Sequence, residues 1–191
     1  MTAQIILASA SPRRKELLDQ IKVTYKVNPV DLDETPRPDE APLDYVQRLA
    51  AEKSAACIAQ LGDGLPVLAA DTAVVLDDLI MGKPKDRDDA LAMLRQLSGK
   101  MHRVYSAISL RGHEHGQAVS ITEVTFRSLT EAEIEAYWQS GEPADKAGSY
   151  AIQGRGGVFV ESIRGSFSGV VGLPLFETAE LLSRQGIRLF K

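Results

Sequence analysis

Arg13, Arg14, Lys53 and Lys83 are the basic residues of this sequence best placed for chemistry, and Glu34 and Asp71 are the acidic ones. Gathered in one cleft, the cations would neutralise a polyphosphate. The carboxylates would hold a divalent cation, Mg²⁺ or Mn²⁺, and orient a water molecule. No spacing among them forces a shared site. The sequence contains no Walker A loop, which excludes a P-loop nucleotide site.

The two arginines follow the first apolar run, Ile5 to Leu7, within Ala8-Ser9-Ala10-Ser11-Pro12-Arg13-Arg14. The run reads as a buried strand. Ser11 has the character of a helix N-cap, with Pro12 at the first helical position. Arg13 and Arg14 then lie in the first turn, where the helix dipole disfavours positive charge by a few tenths to about 1 kcal/mol each. A bound anion would reverse that sign, held by free amides, the Ser9 and Ser11 hydroxyls and the guanidinium forks. The alternative is a solvated helix start whose arginines pair with nearby carboxylates.

A second helix is expected from about Leu43 to Gln60. Its apolar stripe of Val46, Leu49, Ala50, Ala56 and Cys57 also carries Lys53. That lysine either snorkels past the core or points its ammonium into a cleft. Leu65 to Ala70 reads as a buried strand ending in Asp71-Thr72, and the end of a strand is where open α/β sheets place their chemistry. A turn-capping aspartate is the plainer reading. Lys83 is held between Gly82 and Pro84 after a predicted hairpin around Asp77-Asp78. Residues 31–40 are acidic and proline-containing, an exposed loop in which Asp33 or Glu34 would face a metal. In residues 145–157, glycines at 148, 154, 156 and 157 allow backbone to approach a ligand, and the Gln153 amide can both donate and accept, as reading a nucleobase edge requires.

The rest is scaffold. Helices are expected after Asp86 or Asp88, from Thr130 with Glu133 as a capping box, and from Leu175 to a stop at Gly186. Strands are expected at Val23–Val27, Arg103–Leu110, Val119–Phe126 and Val158–Ile163, with Gly165 to Gly169 as a loop. His102, His113 and His115 are read as surface residues. Interleaved strands and helices define an α/β class with a mixed sheet.

With 191 residues, the chain fits one domain spanning 1–191. A net charge of -4 argues against a nucleic-acid partner. Cys57 is the only cysteine, so no internal disulfide forms. No apolar run approaches the ~18 residues of a membrane span. A cytoplasmic, non-membrane protein is expected.

The ordered set SASPRR, Glu34, Glu52-Lys53, Ala70-Asp71-Thr72, Gly82-Lys83-Pro84, AGSYAIQGRGG and Gly172-Leu173-Pro174-Leu175 resembles the Maf family of nucleotide pyrophosphatases. The resemblance spans about residues 5 to 180. It implies a mixed twisted sheet with flanking helices and two lobes around a deep cleft, related to inosine triphosphatases. It further implies metal-dependent hydrolysis of a nucleoside triphosphate to monophosphate and pyrophosphate, and a homodimer. Carried onto matching positions, it makes Asp71 the proton acceptor and Glu34 a metal or water ligand. Ser9, Arg13, Arg14, Lys53 and Lys83 become phosphate contacts. Arg13, Thr72 and Gln153 are similar to the pattern of the subgroup acting on dTTP and UTP. The sister subgroup, which cleaves 7-methyl-GTP, carries tryptophan, glutamine and glutamate there. The alternatives are the same reaction on a modified purine such as 7-methyl-GTP and, from another class, a nucleotide-binding regulator of septum formation and cell division.

Overall fold

The computed structural model describes residues 2–62 and 64–190. The chain begins with β1 (Ile5–Leu7), α1 (Pro12–Gln20) and β2 (Tyr25–Val27). Then come α2 (Pro42–Leu61), β3 (Val67–Leu76), β4 (Leu79–Met81) and α3 (Arg87–Leu97). Two long strands follow, β5 (Met101–Arg111) and β6 (His115–Phe126), and then α4 (Glu131–Gln139). Short 3-10 turns lead to β7 (Val160–Arg164), α5 (Phe167–Val171) and α6 (Leu175–Arg184).

Among the described residues seven strands form one mixed sheet in the order β2-β1-β3-β5-β6-β7, with β4 attached to β3. β2, β1 and β3 are parallel, and the remaining pairs are antiparallel. The chain winds one way from β1 to β2 and back past β1 to β3. The two connecting helices therefore cover opposite faces of the sheet. On one face Leu17 and Leu18 of α1 pack with Leu68 and Ala70. On the other, Val46, Leu49 and Ala50 of α2 pack with Ala73 and Val75. Both faces of β3 are covered, so its sequence is almost continuously apolar instead of alternating.

The face opposite α2 carries two cores. One joins α1, α6 and the first half of β3. The other joins α3, α4 and an aromatic group made of Phe126, Tyr137, Tyr150 and Phe159. Ala70 belongs to the first core and Val74 to the second, which puts Thr72 at the boundary. The sheet is also interrupted there. β1 pairs with β3 at Val67 and Leu68, and β4 pairs at Val74 to Leu76. Among the described residues no strand covers 69–73 on that edge, while β5 pairs along 67–75 on the other.

Local signals explain most elements. The Ser11 hydroxyl accepts from the Arg14 amide at 3.4 Å, with Pro12 opening α1. Asp86 caps α3, and Thr130 with Glu133 forms the capping box of α4. Asp77 and Asp78, at φ 47° and 67°, turn the β3–β4 hairpin.

Three expectations need correction. β3 does not stop at Ala70 but runs on to Leu76, so Asp71 lies mid-strand. The gap in the partner edge, and not a strand terminus, opens the cleft beside it. Residues within 165–169 are not all loop: Ser166 caps the short α5, its hydroxyl accepting from the Gly169 amide. His102 is fully buried and not on the surface, because Phe126 and Tyr150, distant in sequence, close over it. Its Nε2 shares a 2.7 Å hydrogen bond with the Tyr150 hydroxyl.

Candidate active site

A cleft of about 490 Å³ opens at the interrupted edge of β3. Ser9, Arg13, Arg14, Glu34, Lys53, Asp71, Thr72, Lys83 and Gln153 all line it, so these candidates face one cavity, while Asp33 does not line it. The cleft lies where the winding direction reverses, as is usual for ligand sites of open α/β sheets.

At its centre is Asp71. Strand parity points its side chain toward α2, where Lys53 meets it: Nζ donates to Oδ1 at 2.8 Å, and both residues are buried. The same ammonium lies 2.7 Å from Glu34 Oε1. Lys53 therefore points into the cleft and ties two carboxylates together. Burial raises the Asp71 pKa, and Glu34 adds to the rise, against the opposing charges of Lys53 and Arg14. Burial is the largest single influence on Glu34 and disfavours its ionised form, but the Lys53 hydrogen bond and charge, with the charges of Lys83 and Arg14, together outweigh it and hold that carboxyl below its usual range.

Glu34 sits on a loop without regular structure, yet the loop is anchored. The Tyr45 hydroxyl donates to the Glu34 carbonyl oxygen at 2.9 Å. Arg48 makes a two-pronged pair with Glu40, at 2.5 and 2.8 Å, and its Nη2 also reaches the Thr35 carbonyl. The Arg48 bonds hold the Glu40 carboxyl at about 2, far below its ordinary pKa. Asp33 turns away from this centre, accepting from the Thr35 amide at 2.9 Å.

Across the cleft Arg14 is locked in place. Nε donates to the Gly172 carbonyl at 2.8 Å, Nη1 to Ser9 Oγ at 3.1 Å and Nη2 to Thr72 Oγ1 at 3.5 Å. Thr72 Oγ1 is 2.7 Å from Ser106 Oγ, which donates to the Gly169 carbonyl at 2.6 Å. A polar seam thus runs between the two cores. Gly172 has φ 131°, which aims its carbonyl at Arg14 in a conformation L side chains rarely adopt. Desolvation lowers the Arg14 pKa, Asp71 and Glu34 counter it, and Arg13 adds to the lowering. A guanidinium held this way is pre-organised for a planar oxyanion.

Sequence reasoning missed two charged residues of the cleft wall, Asp145 and Lys146, which bond to each other and lie near Arg13. Their only signal was adjacency to the glycine-rich run. His113 and His115 are exposed and remote from the cleft. Among the described residues no group of three or more His, Cys, Asp or Glu gathers to hold a metal alone. Glu34 and Asp71, joined through one cation, still fit a hard divalent ion. Such ions commonly take one or two carboxylates and complete their shell with phosphate oxygens and water.

An open sheet with a cation-lined cleft and a buried, cation-paired carboxylate at its interrupted edge has the charge and shape of a candidate enzyme site for a polyanion. The chain belongs to the Maf-like protein family, whose pattern it matches over residues 4–185. It is 55% identical to a Methylococcus capsulatus protein named dTTP/UTP pyrophosphatase, over 96% of this chain and 92% of that one. A Pseudoalteromonas atlantica protein of the same name is 50% identical, over 96% and 97%. Among solved structures, the Staphylococcus aureus Ham1 protein aligns with TM-score 0.47 at 17% identity, covering 64% of this chain and 71% of that one. A nucleoside-triphosphatase, dITP/XTP pyrophosphatase, from Mycobacterium abscessus aligns at TM-score 0.48 and 15% identity, covering 95% and 93%. Among the described residues no helix is long and apolar enough to cross a membrane.

Proposed function

We propose that the protein hydrolyses dTTP and UTP to the nucleoside monophosphate and diphosphate, clearing unwanted pyrimidine nucleotides. The observation that carries this reading is Asp71: a buried carboxylate with a raised pKa, paired with Lys53 and set among Arg13, Arg14 and Lys83. The names of relatives at half identity over nearly the whole chain support the choice of substrate.

In this mechanism Arg13, Arg14, Lys83 and the Ser9 hydroxyl grip the phosphates. Arg14 arrives already oriented by Gly172, Ser9 and Thr72. Asp71 accepts a proton from water as its oxygen bonds to the α-phosphorus. The bond from that phosphorus to the α–β bridging oxygen breaks, and pyrophosphate leaves with the electron pair, its charge met by the surrounding cations. Lys53 favours the ionised form of Asp71 against the effect of burial. Glu34 and Asp71 would hold Mg²⁺ or Mn²⁺, which supplies Lewis-acid neutralisation of phosphate charge. Thr72 and Gln153 would meet the nucleoside. The Gln153 amide complements the O4 and N3–H edge of uracil or thymine.

Product analysis tests the reading. With Mg²⁺ or Mn²⁺, UTP and dTTP should give pyrophosphate and monophosphate, not orthophosphate. Asp71→Asn should lose about 10²- to 10⁴-fold in turnover while retaining binding, the usual range for a removed general base. Near-normal turnover in that variant would remove Asp71 from the chemistry. The resemblance extends the reading to a cytoplasmic homodimer, and sedimentation showing only a monomer would overturn that part.

A further inference from the structure

Gln153 stands exposed on the rim of the cleft, next to glycines at 154, 156 and 157. A glutamine on a loose glycine-rich turn would read a base edge poorly, because ordering it would consume the binding it offers. The turn is not loose. The Tyr137 hydroxyl accepts from the Ala151 amide at 3.0 Å and donates to Glu142 Oε2 at 2.6 Å. The Glu142 carboxylate also accepts from the Arg155 amide through Oε1 and from the Gly156 amide through Oε2, each at 3.0 Å. The chain on both sides of Gln153 therefore ends on one phenol–carboxylate pair.

The glycines fit this clamp sterically. A Cβ at Gly154 would lie 2.2 Å from Glu142 Oε1, and one at Gly156 would lie 2.6 Å from both the Tyr137 hydroxyl and the Ala151 carbonyl. The residues that look like a flexible loop are small so that carboxylate and phenol can close on the backbone. The clamp is itself fixed: the Tyr137 ring packs edge-on against Phe159 at 4.9 Å, within the core under α4. Neither Tyr137 nor Glu142 lines the cleft, so any effect they have on substrate runs through the turn.

We propose that Tyr137 and Glu142 are positioning residues for base recognition, holding residues 151–156 so that the Gln153 amide meets the pyrimidine edge already oriented. The inference rests on the pyrimidine-nucleotide reading above and deepens it. The test compares wild type, Tyr137→Phe, Glu142→Gln and Gln153→Ala on UTP, dTTP and CTP, using competition against UTP where CTP turns over poorly. Each clamp variant should raise KM for UTP and dTTP about tenfold, the scale of one lost oriented hydrogen bond. kcat should stay within about threefold, and CTP should change little. Gln153→Ala should do the same, and adding Tyr137→Phe to it should cost nothing more. Equal KM increases for all three nucleotides, or a fall in kcat alone, would reduce the pair to a structural role and overturn the inference. An unmoved UTP preference in the clamp variants, with Gln153→Ala moving it, would overturn the clamp and leave base reading intact. If Gln153→Ala also leaves it unmoved, base reading by Gln153 fails and takes the clamp with it. Hydrogen exchange of the 151–156 amides separates the two failures without substrate. It should quicken in Tyr137→Phe, and unchanged protection would overturn the clamp whatever the enzyme hydrolyses.

Discussion

Two loops present one functional residue each to the cleft, and they are held by different physics. Residues 31–40 bring Glu34 from the α2 side, fastened mainly by ion pairs, Lys53 to Glu34 and Arg48 to Glu40, with the Tyr45 hydroxyl on the Glu34 carbonyl beside them. Residues 150–157 bring Gln153 from the α4 side, fastened by a phenol, a carboxylate and backbone amides. The Lys53–Glu34 pair, a point-charge ammonium on a carboxylate, has little directional preference and exchanges partners when a new charge arrives, while the two-pronged Arg48–Glu40 pair holds the loop behind it. Amide and phenol hydrogen bonds are directional, and the aromatic core buries the Tyr137–Ala151 bond, while the Glu142 bonds are half-buried at Tyr137 and Gly156 and exposed at Arg155. The phosphate end is thus free to redistribute charge during reaction, while the base end keeps its shape.

The largest expected effect is at the charged end. Lys53→Met removes the ammonium shared by Glu34 and Asp71 and leaves two carboxylates facing each other. Turnover should fall about 10²-fold or more, through lost charge stabilisation. The acid limb of kcat/KM should move to higher pH, because Lys53 is the main influence lowering the Asp71 pKa. In wild type that limb should already lie above the ordinary aspartate value of about 3.9, since a base must be ionised and burial raises Asp71. A pH profile unmoved by Lys53→Met would uncouple the pair.

The next effect is at the base end. Burial lowers the His102 pKa to about 4, from its ordinary 6.5. The folded state then binds fewer protons than the unfolded chain. This contribution to stability is fully present above pH 6.5 and is lost as pH falls toward 4, about 3 kcal/mol in all. Denaturant melts from pH 7 to 4 should show that slope, and His102→Gln should flatten it. The smallest effect is Arg48→Lys, which gives up the two-pronged bond to Glu40. The apparent KM for Mg²⁺ should rise by about threefold to tenfold, or about 1 kcal/mol, with the KM for dTTP nearly constant. Equal shifts in both would mean that the acidic loop and the nucleotide grip are not separable.

The sequence made the charged end legible and left the base end half hidden. Lys53 stood out because a cation on an apolar helical stripe has few explanations, and Asp71 because it breaks an apolar run. Where β3 ends was misjudged, since periodicity cannot show that the neighbouring edge is interrupted. His102 was misread because its burial comes from Phe126 and Tyr150, which lie 24 and 48 positions along the chain. Glu142 gave no local signal: an acid after Gly141 looks like any exposed residue. Its hydrogen bonds to Tyr137 and to the Arg155 and Gly156 amides, with the space missing above Gly154, reveal its role. The five-residue α5 was hidden by its flanking glycines.

The continuity of β3 has a consequence for how the molecule comes apart. One strand carries Leu68 and Ala70 into one core and Val74 and Leu76 into the other, with β5 zipped along residues 67–75. Neither core can melt without stripping the strand that supports its neighbour, so the two should denature in a single cooperative transition. A nucleotide bound at the junction then acts on the whole transition, raising the melting temperature of both cores together and not of one half alone.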